Sequence, residues 1–357
     1  IDFACDADGN PVNESLPAVN IPAETNNVTV AGFGITTSGV FVASAPLSGI
    51  GVRVDEAPGT KIQRNTIYDN RTGVLINVGS QSPTPRVENN VIWANNGPGV
   101  EVRGATSLAA DVVNNTIVFN TEGVRLTNTN PNAQARPIVA NVYNNIITGS
   151  SGAGIRSMTT AGASIDFNDV FRNLGGNFIN IQGIGTHNIS ADPLFLAPLG
   201  KPATGRPNPL LTDWRLGSFS AAIDAALGRE TDTNSNSIPD LNEDFNRNGA
   251  FDIPSTTDHD NRGRRDDTNV VDKGLGTPTF IDLGAFERQS NSSGAPGSAG
   301  ATAARTAVRA VDQVLESGDD GVPLPDVVGK HRKDNESWAD LLDAFLGRGR
   351  LKRLLRK

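Results

Sequence analysis

Between residues 65 and 180 the apolar positions fall into short alternating runs, two to a unit, with polar corners between them. Thr66-Ile67-Tyr68 and Val74-Leu75-Ile76 are one such pair. Ile67, Ile92, Ile117 and Ile147 recur at one register, and Val74, Val100, Val124 and Ile155 at a second. Runs this short, β-branched and bounded by turn residues predict strands rather than helices. Each unit opens on an asparagine: Asn65, Asn90, Asn115, Asn145 and, in a looser copy, Asn168. These are spaced 25, 25, 30 and 23 residues apart. A period in this range predicts a solenoid whose units bury their apolar faces only against one another.

Helical solenoids need longer, Ala/Leu-rich units, and no Leu-x-x-Leu-x-Leu phrase recurs to suggest a leucine-rich repeat. The pattern therefore predicts an all-β chain, a right-handed parallel β-helix with one coil per repeat. The earlier stretches Asn27–Ile35 and Gly49–Val54 extend it as less regular coils. The repeated asparagines precede strands, where the left-handed backbone region is accessible to them and their amides can bond from coil to coil. A ladder of this kind is favoured over a sugar-binding role. Gly73, Gly99, Gly123 and Gly154 mark the second corner and are expected to supply positive φ.

Three later phrases carry a resemblance: Ala191-Asp-Pro-Leu-Phe195, Ala221-Ala-Ile-Asp-Ala225 and Asp282-Leu-Gly-Ala-Phe-Glu287. With the repeats, they make the chain similar to right-handed parallel β-helix proteins of the pectate-lyase-like superfamily. More narrowly, it resembles the bacterial choice-of-anchor group of surface or secreted proteins. The resemblance spans roughly residues 20–289 and implies an extracytoplasmic, carbohydrate-facing protein, without implying a reaction. The organisation expected is a β-helix domain over 1–289, a Ser/Gly-rich linker over 290–300 and a small, basic, helical tail over 301–357.

Composition changes this picture little. The lone cysteine, Cys5, leaves no internal disulfide, so stacking must supply the stability. The sequence starts at Ile1 with no charged-then-apolar leader, as a processed or excerpted chain would. Residues 1–289 hold 30 acidic and 20 basic side chains, against 9 and 11 in the tail, within a net charge of -8. An acidic body disfavours nucleic acid as a partner and, without bridging cations, polyanionic pectin or alginate. The expected location is secreted or cell-surface. The expected partner is a polysaccharide or cell-envelope glycan. The amphipathic tail is equally suited to docking on a membrane surface or protein and to packing on an open end of the solenoid.

The sharpest chemical signal is a pair of Asp/Asn-rich loops at 232–255. Asp232, Asn234, Asn236, Asp240 and Glu243 place side-chain oxygens at positions 1, 3, 5, 9 and 12 of a loop, with the Ile238 carbonyl at position 7. Asp244, Asn246, Asn248 and Asp252 continue the pattern. Alternating oxygen donors suit a hard cation that takes six to eight of them. The phrase also resembles the calcium-binding thrombospondin type 3 repeats. A structural Ca²⁺ is favoured over an ion-free polar loop.

Strand alternation turns Arg53, Leu75, Glu101, Arg125 and Arg156 to the outside of the coils. Arg53, Glu101, Arg125 and Arg156 are the carbohydrate-facing candidates; the competing reading is charge pairing between coils, Glu101 with Arg125. One carboxylate in this strip falls short of the pair that a glycosidase needs. The reading favoured is a non-catalytic glycan-binding scaffold. The alternative is a polysaccharide lyase or glycoside hydrolase working through the same face. His187, His259 and His331 show no metal-ligand spacing, and Trp93 and Trp214 suit packing better than sugar stacking.

Overall fold

The computed structural model describes residues 17–37, 49–105, 108–130, 138–158, 161–182, 184–198, 209–233, 235–239, 243–244, 251 and 255–288, with the strand Asp2–Phe3. The chain divides into two units, Ile1–Ser290 and Asn291–Lys357. The expected linker and helical tail, Cys5 and His331 lie outside the described residues.

Three stacks of strands form the walls of a parallel β-helix. A long face of eight strands runs Asp2–Phe3, Val19–Ile21, Ile50–Asp55, Thr72–Asn77, Pro98–Gly104, Glu122–Asn128, Ile155–Ser157 and Phe178–Ile179. All its neighbours pair in parallel except the first two. The chain then enters a second face: Thr29–Ala31, Lys61–Gln63, Arg86–Glu88, Ala110–Val113, Ile138–Tyr143 and Gly162–Asp166. A third face follows: Gly34–Ile35, Thr66–Tyr68, Val91–Trp93, Thr116–Val118, Ile146–Thr148 and Asp169–Phe171. One circuit through all three makes a coil. The early stretches at 27–35 and 49–54 join as coils, as their patterns predict.

Register does the rest. Val52, Val74, Val100, Val124 and Ile155 stack in one inward row. Ile35, Ile67, Ile92, Ile117, Ile147 and Val170 form another, and Val30, Ile62, Val87, Val112, Val142 and Ile165 a third. All belong to one continuous buried cluster. Each inward aliphatic meets its counterparts above and below at the strand spacing of about 4.8 Å, so one residue type satisfies every layer.

The expected asparagine ladder is present. Asn65 Nδ2 donates to Asn90 Oδ1 at 3.1 Å. The bond repeats at 3.0 Å from Asn90 to Asn115, Asn115 to Asn145, Asn145 to Asn168 and Asn168 to Asn188. The left-handed backbone, however, belongs to the preceding residue: Arg64, Asn89, Asn114, Asn144 and Phe167 have φ of 54°, 55°, 53°, 59° and 53°. The ladder residue must sit where its amide reaches both neighbouring coils, so the turn is made one position earlier. A second ladder bounds the other end of the third face. Asn70 Nδ2 donates to Asn95 Oδ1 at 3.0 Å and Asn95 Nδ2 to Asn120 Oδ1 at 2.9 Å. The sequence pattern held that ladder too, in the second Asn of four of the five phrases; Ser150 takes the place in the fourth and donates its backbone N–H to Asn173 Oδ1 at 3.0 Å.

The corner glycines also serve differently from expectation. Gly73, Gly99, Gly123 and Gly154 are absent from the positive-φ positions. They are required for space: a Cβ on Gly99 would stand 2.7 Å from Ile117 Cγ2 and 3.0 Å from the Gly123 carbonyl oxygen.

The described residues of 191–288 add no further coil. They return across the outside of the third face, where Leu216, Ala222, Ile223, Ala226, Ile281 and Leu283 bury Ile146. Trp214 and Ala285 pack on Val91, Trp93 and Val118.

Replacing Asn115 with Ala tests the ladder. The change removes the acceptor used by both the backbone and the side chain of Asn90 and the donor serving the Val87 and Val113 carbonyls. Its urea midpoint is expected to fall by the equivalent of about 3–5 kcal/mol. The same change at Asn188, the half-buried end of the ladder, should cost clearly less. Equal losses at the two positions would show that the ladder is not cooperative.

Candidate functional site

The four candidate residues stand together on the outside of the long face. Parallel register places Asn20, Arg53, Leu75, Glu101, Arg125, Arg156 and Ile179 in one row across seven strands. Two residues further along the strands, Asp55, Asn77, Arg103 and Thr127 make a second row. Leu75 and Glu101 are buried, so the half-exposed part of the first row is Arg53, Arg125 and Arg156, with Asn20 and Ile179 at its ends.

These charges pair in two groups, one around Asp55 and one around Glu101 and Glu122. Arg53 Nη2 lies 2.7 Å from Asp55 Oδ2, and Asn77 Nδ2 donates to Asp55 Oδ1 at 2.9 Å. Arg103 Nε lies 2.9 Å from Glu101 Oε1. Arg125 Nε lies 2.7 Å from Glu122 Oε2, and Arg156 Nη1 is 3.0 Å from Glu122 Oε1. The expected Glu101–Arg125 pair exists at 4.0 Å but is the longest of the set. The expectation of a lone carboxylate needs correcting. Glu122, three residues before Arg125, pairs with both Arg125 and Arg156 on this face and was not among the residues the alternation singled out.

The side chains of Glu101 and Glu122 are 7% exposed, whereas those of Arg103 and Arg156 are 41% and 39% exposed. Around Glu101 and Glu122 the carboxylates lie beneath and the guanidinium groups above, whereas Asp55 is more exposed than Arg53. The surface thus offers planar N–H donors held in place by buried acceptors, a geometry suited to hydroxyl and carboxylate oxygens of a ligand.

The other polar groups are locally committed. His187 Nδ1 lies 2.8 Å from Asp166 Oδ2 and its ring stacks on Phe167 at 4.4 Å. His259 Nδ1 lies 2.9 Å from the Asn89 carbonyl oxygen; burial holds this imidazole below its ordinary pKa. Trp93 and Trp214 are buried with centroids 5.7 Å apart. On the second face Arg86 bridges Glu88 at 2.6 Å and Asp111 at 2.9 Å.

Of the loop oxygens, Asn234, Asp240, Asn246, Asn248 and Asp252 lie outside the described residues. Asp232 Oδ1 and Oδ2 accept from the backbone of Asn236 and Ser237 at 3.2 and 2.7 Å, and Asn236 Oδ1 accepts from Ile238 N at 2.7 Å. Glu243 Oε1 accepts from Thr233 N at 2.7 Å. Asp232 and Glu243 thus already curl the loop, while Ile238 is exposed and Asp244 buried.

The family model described as "Right handed beta helix region" matches residues 7–138 and 34–170. These matches cover the coils and none of the return segment. No curated protein and no solved structure matches the chain.

Buried at the end of the third face, Asp169 offers a pH test. One carboxylate oxygen accepts from Ala191 N at 3.0 Å and the other has no partner. Burial, reinforced by Asp192 and opposed by the Ala191 bond, pushes its pKa up to about 7 from the ordinary 3.8. The folded state therefore holds this proton more tightly than the unfolded state. The associated stability is fully present below about pH 4 and is lost as pH rises through about 7. Asp169→Asn should accordingly stabilise the protein above pH 7 by about 2–4 kcal/mol and be neutral near pH 4. Denaturant titrations at both pH values measure this. A gain that is the same at both would remove ionisation as its cause.

Proposed function

We propose that this chain is a non-catalytic scaffold of the cell exterior, secreted or surface-attached, whose long face binds a polysaccharide or cell-envelope glycan. The observation that supports this reading most is the ion-paired ledge in which Arg103, Arg125 and Arg156 lie over Glu101 and Glu122, with Arg53 and Asp55 paired beside them. Four guanidinium groups against three carboxylates leave the ledge nearly neutral. It is therefore matched to a neutral or weakly anionic glycan rather than to a dense polyanion. Its donors are fixed by the network before a ligand arrives, which lowers the ordering cost of binding.

A second reading, lyase or glycosidase, draws on Glu101 and Glu122 lying on either side of Arg125. Cleavage of a glycosidic bond needs one carboxyl that donates a proton and one that acts as base or nucleophile. Both carboxylates here are committed to guanidinium donors, which favours binding over turnover. A structural Ca²⁺ in the 232–252 loops, held through Asp232 and Glu243 among others, is part of the proposal. So is docking of the 301–357 tail on a membrane surface or partner protein.

Glycan arrays combined with assays for reducing ends and unsaturated products on the same polysaccharides test the two readings. Arg156→Ala or Arg103→Ala should weaken binding of the preferred glycan about tenfold each, a loss near 1.4 kcal/mol, with unchanged unfolding temperature. No product should accumulate. Product release by the wild type that disappears in Glu101→Gln would replace this reading with the enzyme. Absence of any glycan ligand would remove both.

A further inference from the structure

Away from the long face, three carboxylates of the return segment converge. Oxygens of Asp224, Asp266 and Asp272 all lie within 4.8 Å of one another. Repulsion should scatter such a group unless something holds it, and the backbone does. Asp224 N donates to Asp282 Oδ1 at 2.8 Å, and its carbonyl oxygen accepts from Lys273 N and Gly274 N at 2.7 and 2.9 Å. Asp224 also takes a left-handed backbone, φ 51°.

The side chain of Asp224 carries the argument further. The residue is 0% exposed, and among the described residues neither carboxylate oxygen has a hydrogen-bond partner. One oxygen of Asp266 is likewise buried and unpartnered. Asp272 Oδ2 accepts a bond from Thr279 Oγ1 at 2.5 Å, which orients it. The adjacent Lys273 directs its ammonium to the Ala221 carbonyl oxygen at 2.8 Å. A buried carboxylate with no donor on either oxygen is among the costliest arrangements in a folded chain. Here it is held facing two further carboxylates.

We propose that Asp224, Asp266 and Asp272 form a binding site for a hard divalent cation, Ca²⁺ in the first instance, that ties two stretches of the return segment together. The donor set is oxygen only, which selects Ca²⁺ or Mg²⁺ over Zn²⁺ or copper. Ca–O bonds of about 2.3–2.6 Å place opposite ligands roughly 5 Å apart, so oxygens within 4.8 Å fit around one ion. This site is separate from the 232–252 loops: it shares no residue with them and joins two other stretches of chain, one at 224 and one at 266–272.

The test uses the full chain, freed of metal by chelation and titrated with CaCl₂ while heat of binding and thermal unfolding are followed. The wild type should gain on the order of 5 °C at saturation. Asp224→Asn should lose the larger part of this response, keeping at most what the 232–252 loops supply, yet in chelator it should unfold no lower than the wild type, because its neutral amide relieves the repulsion. Asp272→Asn, at an exposed position, should lose the response without endangering the fold. Asp232→Ala, which alters only the loop, should keep it. The proposal is overturned by a wild type indifferent to calcium, by a full response in Asp224→Asn or Asp272→Asn, or by a response lost in Asp232→Ala and retained in Asp224→Asn.

Discussion

Everything in the solenoid depends on the side-chain amide that bonds to its own copy one coil away. Asparagine carries both a donor and an acceptor, so a column of them satisfies itself layer after layer at the strand spacing. Two such columns, one beginning at Asn65 and one at Asn70, clamp the two ends of the third face. The clamp forces the residue before each amide into the left-handed region, including types with no liking for it, such as Ala94, Phe119 and Phe167. That conformation costs such residues about 1–2 kcal/mol each. The several bonds each amide makes offset the cost. Once the corners are fixed, strand register follows, and with it which aliphatics are inside and which arginines are outside.

A stack of coils still leaves polar groups along its corners, and the return segment is attached through them. Asn144 offers Oδ1 to Leu227 N at 2.7 Å and Nδ2 to the Leu227 carbonyl oxygen at 2.8 Å, imitating a strand partner. Asn89 accepts from Arg264 at 3.0 Å and donates to the Thr257 carbonyl oxygen at 2.9 Å. Arg264 in turn meets Glu287 at 2.8 Å, both almost fully buried. Burial raises the pKa of Glu287, and the guanidinium opposes that rise. A buried pair of this kind contributes less to net stability than to fixing one way of docking. It is destabilising only if one partner is lost.

The coils were legible because their signal is local and repeated. One period, one inward register and one ladder asparagine per unit can be read without knowing any long-range contact. The left-handed position and the reason for Gly99 were misplaced because both are set by the coil above, not by neighbours in sequence. The doublets Asn89-Asn90, Asn114-Asn115 and Asn144-Asn145 show the boundary well. The second member belongs to the ladder and was read as such. The first faces a segment more than 80 residues away in the case of Asn144 and Leu227, and no periodicity announces that. Glu122 was missed for a similar reason, since a corner interrupts the alternation that assigns sides. Asp224, within a phrase noticed for its resemblance alone, acquires chemical meaning only when Asp266 and Asp272 are brought beside it.

The long face shows why a stacked fold tends to make binding surfaces of a particular kind. Parallel register sets Arg125 directly beside Arg156 on the neighbouring strand, and like charges placed opposite one another are destabilising. The chain resolves this by inserting Glu122 beneath both, bonded to each guanidinium at 2.7 and 3.0 Å. Glu101 does the same for Arg103 and, more distantly, Arg125. The two glutamates are therefore structural counter-ions before they are anything else. Using either as a proton carrier would release arginines held by it. On the proposed reading, the bonds that would keep the ledge rigid for a glycan are the same ones that would hold its carboxylates back from catalysis.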